Sequence, residues 1–115
     1  MAISGIYNFT LDQGSTWTLQ VVYEDSNGNP VNLTGYTAEM QIRRKFDSDT
    51  PVLTLSTSNG GITIVPLTGT LNLIATDEQA AIEPGFYVYD LELSIGGVRT
   101  RLIQGQVTVS GEVTR

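Results

Sequence analysis

The chain has 115 residues, with 12 acidic and 6 basic side chains, and it contains neither cysteine nor histidine. A length of this order fits one domain, and the missing cysteines exclude disulfides and thiolate chemistry. The missing histidines remove the commonest general base and zinc ligand, while the net charge of -6 argues against a nucleic-acid partner. Composition therefore indicates a globular domain that is not an enzyme and has no cofactor.

Strand signals dominate the chain from its start. Apolar and polar residues alternate with a period of two, and clusters of Gly, Asn, Asp and Pro separate the alternating stretches. In chain order the pattern predicts strands at 7–11, 17–23, 36–43, 52–57, 62–65, 71–75 and 87–95, and a final strand from 98 onward. About seven to nine short strands with regular turns are typical of an antiparallel β-sandwich. No apolar run approaches the roughly 20 residues of a membrane span.

One stretch between two strands predicts helix. Thr76 or Asp77 can cap it, acidic residues fill its first turn, and Pro84-Gly85 ends it. Because the stretch is too short to stand alone, we expect one or two turns at a strand crossover near 77–83. Tyr87, just after the crossover, stands where the corner tyrosine of immunoglobulin-like folds bonds to upstream backbone. The expected fold is all-β: an antiparallel, immunoglobulin-like β-sandwich with one short helical crossover.

The last two strands predict a hairpin closed by Gly96-Gly97. That turn would set Leu91 opposite Leu102 on the inner face and Glu92 opposite Arg101 on the outer face. An exposed ion pair of this kind contributes only about 0.2–1 kcal/mol.

The alternation in the final strand changes phase. Inward positions are even-numbered as far as Gln104, whereas Val107 and Val109 are odd-numbered. Because a one-residue slip turns every side chain to the other face, we predict a β-bulge or bend near Gly105. The whole chain, 1–115, is expected to form one domain, with 1–5 as an N-terminal arm.

Two acidic loops are candidates for metal sites. Asp25-x-Asn27-x-Asn29 resembles the opening of a calcium loop, but the glycine and glutamate that such a loop needs are missing from their places. A polar turn is the favoured interpretation. Asp47-x-Asp49 is interpreted as a solvated loop. The sequence therefore assigns no metal-binding residue.

Asp90 and Glu92 are the best candidates for acid–base chemistry. They share one strand face, about 6.5–7 Å apart by strand rise, and paired carboxylates can cleave glycosides. The favoured alternative is a solvated outer face, since no cleft is implied beside them. We therefore assign no catalytic and no cofactor-binding residue.

The segment Arg43-Arg44-Lys45 is the one basic cluster of the sequence. Three cations in a row can hold a phosphate or an acidic partner. In a protein with a net charge of -6, a surface ion pair or a subunit contact is the favoured interpretation.

Aromatic residues offer a further hypothesis, a sugar or receptor platform. It would need the rings of Trp17, Tyr7, Tyr23 and Tyr36 to be exposed. Core packing is the favoured interpretation of Trp17, because it alternates with the apolar residues of its strand.

Five short motifs follow one another along nearly the whole chain: Gln13-Gly14, Gly28-x-Pro30-x-x-Leu33-Thr34-Gly35, Ile42-Arg43, Gly85-x-Tyr87-x-Tyr89-Asp90 and Gly105-x-Val107-x-Val109. This pattern resembles a family of small virion proteins of tailed bacteriophages. The chain is also similar to the N-terminal domain of baseplate upper proteins, which attach receptor-binding modules. The resemblance implies an immunoglobulin-like sandwich in a tail, baseplate, neck or capsid-surface position, and it implies no catalytic residues.

From the resemblance we expect a non-enzymatic virion structural protein of the tail, baseplate or neck that acts as an assembly or adaptor module. Its expected location is the virion, assembled in the host cytoplasm. Its expected partners are other phage structural proteins and further copies of itself in a homo-oligomer, with no nucleic acid and no membrane. The alternatives are a capsid decoration (cement) protein and a receptor- or carbohydrate-binding module. The expected contact regions are Met1 to Ile6, Phe46 to Pro51, and the outer face around Arg99 and Arg101.

Overall fold

A computed structural model describes residues 5–111, and strands fill more than half of that length. The strands are β1 (Gly5–Ile6), β2 (Phe9–Asp12), β3 (Trp17–Val22), β4 (Thr37–Arg43), β5 (Leu53–Ser56), β6 (Ile62–Val65), β7 (Thr70–Ala75), β8 (Gly85–Ile95) and β9 (Val98–Ser110). A single turn of 3-10 helix, Pro66–Thr68, joins β6 to β7.

The strands form two sheets with the core between them. The larger sheet has the order β1-β9-β8-β4-β5, with β2 also paired to β9, and the smaller sheet has the order β3-β7-β6. Apolar side chains of both sheets form one buried cluster, which includes Leu11, Val21, Met40, Leu73 and Leu91. The predicted all-β sandwich is therefore confirmed.

The β8–β9 hairpin confirms the predicted turn and corrects part of the register. Gly96 and Gly97 both have positive φ angles, 56° and 82°, as a two-residue type I′ turn requires. The predicted pairing holds from the turn to Glu92 opposite Arg101, but Leu91 lies opposite Ile103 rather than Leu102. Leu102 is thus the extra residue of a β-bulge, three positions before the predicted site. Both Leu102 and Ile103 are buried.

Gly105 serves a different purpose from the predicted one. A Cβ atom at this position would overlap the carbonyl oxygen of Tyr7 and lie 2.7 Å from the Asn8 Oδ1 atom. The glycine therefore allows the Tyr7–Asn8 segment to cross β9 closely, and the change of phase is made by the bulge at Leu102.

The N-terminal strands make the larger sheet mixed rather than purely antiparallel. β1 pairs parallel to β9, with Gly5 opposite Ile103, and β2 continues in parallel with Phe9 opposite Val107. The prediction of antiparallel pairing is wrong for these two strands. A sequence pattern of period two shows which side chains face the core, but it does not show the direction of the neighbouring strand.

The crossover between β7 and β8 is a single turn rather than a helix. The side chains of Thr76 and Gln79 bond each other's backbone N–H groups at 3.2 and 2.9 Å, which is the capping-box arrangement. The Ala80 N–H donates to the Thr76 carbonyl at 2.9 Å. The chain then extends, because a residue before proline, here Glu83, is disfavoured in helical geometry. The expected helical crossover near 77–83 is therefore corrected to one turn at 77–80.

Tyr87 closes this crossover as predicted. Its hydroxyl donates to the carbonyl oxygen of Glu83 at 2.7 Å, and its side chain is buried. This corner bond is found in immunoglobulin-like folds, to which the sequence assigns the chain. The narrower immunoglobulin-like assignment stays a prediction.

Two further expectations, the single domain over 1–115 and the arm at 1–5, concern the ends of the chain. Residues 1–4 and 112–115 lie outside the described residues, so the single domain over 1–115 stays a prediction at its ends. Of the expected arm at 1–5, Gly5 is described and belongs to β1. Between residues 5 and 111, no helix has the length and apolar character to cross a membrane.

Candidate functional site

The outer face of the larger sheet divides into two neighbouring regions along β8. The first, here called the charged region, comprises Glu39, Asp90, Glu92, Arg99 and Arg101. The second, here called the apolar patch, comprises Ile6, Phe46, Phe86 and Val88. The two regions share β8, because alternation turns every second residue of this strand away from the core.

The charged region pairs its charges within the chain. Arg101 Nε lies 3.7 Å from Asp90 Oδ2, and Arg99 Nη1 lies 3.6 Å from Glu92 Oε1. The backbone register sets Glu92 opposite Arg101, as predicted, yet the side chains pair diagonally. The arginines are more than half exposed, so these contacts are surface ion pairs.

These contacts bear on the glycosidase hypothesis for Asp90 and Glu92. Glu39 lies opposite Glu92, and Gln41 lies opposite Asp90, on an open strand face. Both candidate carboxylates are engaged by arginines rather than aimed into an enclosed cleft. The geometry supports the interpretation as a solvated outer face.

The basic segment folds back onto the domain. Arg43 donates to the Ser48 carbonyl and to Gln41 Oε1, each at 2.5 Å. Arg44 forms an ion pair with Glu83 at 2.9 Å, and its guanidinium carbon lies 5.4 Å from the centre of the Tyr87 ring. The predicted surface ion pair is therefore confirmed for Arg44. The Arg43 bonds close the β4–β5 loop and so position the Phe46 that follows.

The apolar patch exposes large side chains next to one another. Phe86 is 83% exposed, Phe46 79% and Ile6 75%. Ile6, Phe46 and Val88 line a shallow depression of about 300 Å³, and Phe86 stands two residues before Val88 on the same strand face. Contiguous exposed apolar groups of this kind mark interaction surfaces.

The rim of the patch carries charges of both signs. Phe46 also lines a second depression, of about 210 Å³, together with Asp90 and Arg101, which pair with each other. Exposed Lys45 and Asp47 flank Phe46 in the loop. An apolar centre with a charged rim is suited to a partner surface that carries an apolar anchor surrounded by polar groups.

The expected contact regions converge on this patch. Ile6, Phe46 and Arg101 come from the three regions singled out in the sequence, and the structure brings them to one face. Met1 to Ser4 lie outside the described residues. Arg99 and Arg101 both belong to the charged region, and Arg101 borders the patch beside Phe46. The sequence analysis missed Phe86, although an aromatic residue on the polar phase of an alternating strand is a readable signal.

The four rings named for a sugar platform are not presented to solvent as a group. Trp17, Tyr7, Tyr23 and Tyr36 are partly buried and pack against the core, and Phe9 stacks on Trp17 with centroids 4.6 Å apart. This packing counts against the platform hypothesis for these rings.

Tyr89 anchors the N-terminal segment from inside the sandwich. Its hydroxyl donates to the Tyr7 carbonyl oxygen at 2.6 Å, and burial raises the pKa of Tyr89. This bond holds the backbone next to Ile6, so it positions one edge of the apolar patch.

The acidic loop at 25–30 is the polar turn that the sequence favours. Asp25 Oδ1 accepts hydrogen bonds from the backbone N–H groups of Asn27 and Asn29, at 2.9 and 3.0 Å. Asp47 and Asp49 are exposed in the β4–β5 loop. Over residues 5–111, no group of three or more acidic side chains is arranged to hold a metal ion.

Comparisons with known proteins show a similarity of fold alone. No family model matches the chain, and no curated protein matches it. It is similar to part of the endo-β-1,4-mannanase from Thermotoga petrophila, with 13% identity and a TM-score of 0.54, covering 96% of this chain and 18% of the mannanase. It is also similar to part of InlP from Listeria monocytogenes, with 15% identity and a TM-score of 0.46, covering 92% of this chain and 26% of InlP. The chain thus spans a small part of each protein.

Proposed function

We propose that this protein is a non-enzymatic structural component of a bacteriophage virion, acting as an assembly or adaptor module in the tail, baseplate or neck. The observation that carries the proposal is the apolar patch, where the ring of Phe86 on β8 and the ring of Phe46 in the β4–β5 loop are both exposed. The motif pattern of the sequence supplies the class of partner, other phage structural proteins.

Rigidity supports this role. Phe86 and Val88 lie on β8, which pairs with strands on both sides, and the Arg43 bonds hold the loop that carries Phe46. A backbone fixed in this way loses little conformational freedom on docking, so more of the contact energy contributes to binding.

Peptide mass spectrometry of purified particles tests the proposal. The phage whose genome encodes this chain is grown, banded on a density gradient and digested. We expect peptides of this chain to co-sediment with particles in fixed proportion to the major structural proteins. A non-structural phage protein of similar abundance in the lysate is the control, and absence of the chain from washed particles would refute the proposal.

The same purified particles also test the alternative hypothesis, that the chain is a decoration protein on the capsid surface. Heads and tails are dissociated and resolved on a second gradient before digestion. Peptides in the tail fraction support the tail, baseplate or neck position. Peptides confined to the heads support a capsid decoration protein instead.

A further inference from the structure

Strand β3 leaves one edge of the smaller sheet open. It is six residues long, Trp17–Val22, and among residues 5–111 it pairs with β7 alone. An unpaired edge presents N–H and C=O groups to any extended chain. Natural proteins usually protect such edges with charge, proline, a bulge or short length.

The other outer strands of the described residues carry such protection. β1 and β2 are interrupted at Tyr7 and Asn8. β5 and β6 have four residues each, and Pro66 ends β6. β3, in contrast, has neither a charged residue nor proline nor glycine. Its sequence is therefore suited to being paired rather than exposed.

The hydrogen bonds of the sheet show which backbone groups face the open edge. The Tyr23 N–H donates to the Gly69 carbonyl at 2.8 Å, and the Ile74 N–H donates to Gly61, away from β3, at 2.9 Å. Because the bonding direction alternates along a strand, Thr18, Gln20 and Val22 direct their N–H and C=O groups outward.

The side chains of β3 restrict how a partner strand can lie. Odd-numbered residues face the core, and Trp17 and Leu19 are only partly buried there. An antiparallel partner must set inward residues opposite inward residues, since a slip by one residue reverses the faces. A second β3 centred on Gln20 meets this condition with Leu19 opposite Val21, and it opposes no like charges.

We propose that two copies of the chain pair through their β3 strands, antiparallel about a two-fold axis that passes at Gln20. In this register Thr18, Gln20 and Val22 use all the outward backbone groups, and each copy covers the partly buried Leu19 of the other. The free β6 edges are short and end at Pro66, so the pairing closes at a dimer. The inference rests on the proposed function only in expecting copies of the chain to meet in an assembly.

Charge substitution at the axis is the first test. Gln20 is exposed and would face its own copy, so Gln20→Lys and Gln20→Glu each oppose like charges. Sedimentation equilibrium is measured from about 10 µM to about 1 mM, the range suited to a small interface. We expect the wild-type chain to dimerise, each variant to dimerise about tenfold more weakly or not at all, and the equimolar mixture to regain the dimer.

Matched controls use the exposed Thr63 on β6 of the same sheet. Thr63→Lys and Thr63→Glu change the net charge equally but lie away from the axis, so they should dimerise like the wild type. The proposal is overturned by a wild-type chain that stays monomeric at the highest concentration. It is equally overturned if both Gln20 variants dimerise normally, or if their mixture stays monomeric.

Amide hydrogen exchange by NMR gives a residue-level readout. Raising the protein concentration should slow exchange at Thr18, Gln20 and Val22, whose N–H groups face the open edge. Leu19 and Val21 already bond to β7 and should change little. A uniform change along β3 would contradict the proposed pairing. Because these measurements use the purified chain, their outcome does not depend on whether the protein is found in particles.

Discussion

Phe86 and Val88 lie four and two residues before Asp90 on the same face of one strand, yet the two regions of that face differ in their partners. In the charged region, Asp90 and Glu92 meet arginines of the same chain. In the apolar patch, Phe46 and Phe86 remain about four-fifths exposed. The charged region thus pairs its own groups, whereas the proposed function assigns the exposed rings of the patch to a partner molecule.

The largest expected effect comes from removing the two rings of the patch. From the proposed function we predict that the double variant Phe46→Ala, Phe86→Ala is incorporated into particles about tenfold to a hundredfold less than the wild-type chain. The reason is that buried aromatic anchors dominate the free energy of binding at interfaces. A plasmid supplies the variant during infection by the wild-type phage. Mass spectrometry then compares the variant-to-wild-type ratio in particles with the ratio in the lysate.

Two controls sharpen this comparison. Leu67→Ala removes another apolar side chain, 77% exposed but outside the patch, and should compete like the wild type. Asp90→Asn with Glu92→Gln changes the charged region alone and should also compete normally. Equal losses in all three variants would mean that the patch has no special role.

Gly105→Ala should disturb the patch from beneath. The new methyl group would overlap the Tyr7 carbonyl oxygen, so the segment that carries Ile6 must shift. We expect a loss of about 1–3 kcal/mol in the free energy of unfolding, the usual cost of overpacking. Urea denaturation measures it. Gly111→Ala is the control, because its Cβ would lie 3.4 Å from Pro84 Cγ, an ordinary van der Waals contact.

Tyr89→Phe should have a smaller effect on the same segment. It removes the hydrogen bond to the Tyr7 carbonyl, which is worth about 1 kcal/mol. Because burial raises the pKa of Tyr89, its neutral form favours the folded state. The stabilisation that the neutral hydroxyl gives to the folded state is fully present below the ordinary tyrosine pKa of about 10 and is lost as pH rises beyond it. The free energy of unfolding, measured by denaturation at a series of alkaline pH values, should therefore fall less steeply with pH for the variant than for the wild type.

The smallest effect belongs to the charged region. Asp90→Asn with Glu92→Gln should change the free energy of unfolding by only about 0.2–1 kcal/mol per ion pair, because both pairs are exposed. The difference between variant and wild type should vanish in about 1 M salt, where screening is strong. A large loss that persists in high salt would show that these carboxylates do more than pair on the surface.

Short sequence patterns correctly predicted the features that depend on residues close together in the chain. The glycine turn at 96–97 fixed the hairpin pairing as far as Glu92, and Tyr87 was placed at its corner from its position after Pro84 and Gly85. The parallel pairing of β1 and β2 depends on contacts about 100 residues away, which strand periodicity does not encode. The helical turn after Thr76 was overestimated, because capping residues favour a start but Pro84 lies too close for propagation.

The candidate site was only partly predictable for a similar reason. Ile6, Phe46 and Arg101 were assigned to contact regions from exposure, but their meeting on one face depends on the mixed sheet and on the loop that Arg43 closes. Phe86 was not predicted, because the motif in this strand is formed by its inward residues, such as Tyr87 and Tyr89. Outward aromatic residues on strands are thus the signal to search for in similar sequences.

The bulge at Leu102 divides β9 into two stretches whose alignments with β8 are independent. Towards the turn, Arg101 is matched to Glu92, and beyond the bulge Ile103 is matched to Leu91. Removing Leu102 would leave both alignments unchanged, at the cost of one buried side chain. This position is therefore a natural place for the strand to gain or lose a residue over evolution, while the hairpin tip and the patch each keep their own geometry.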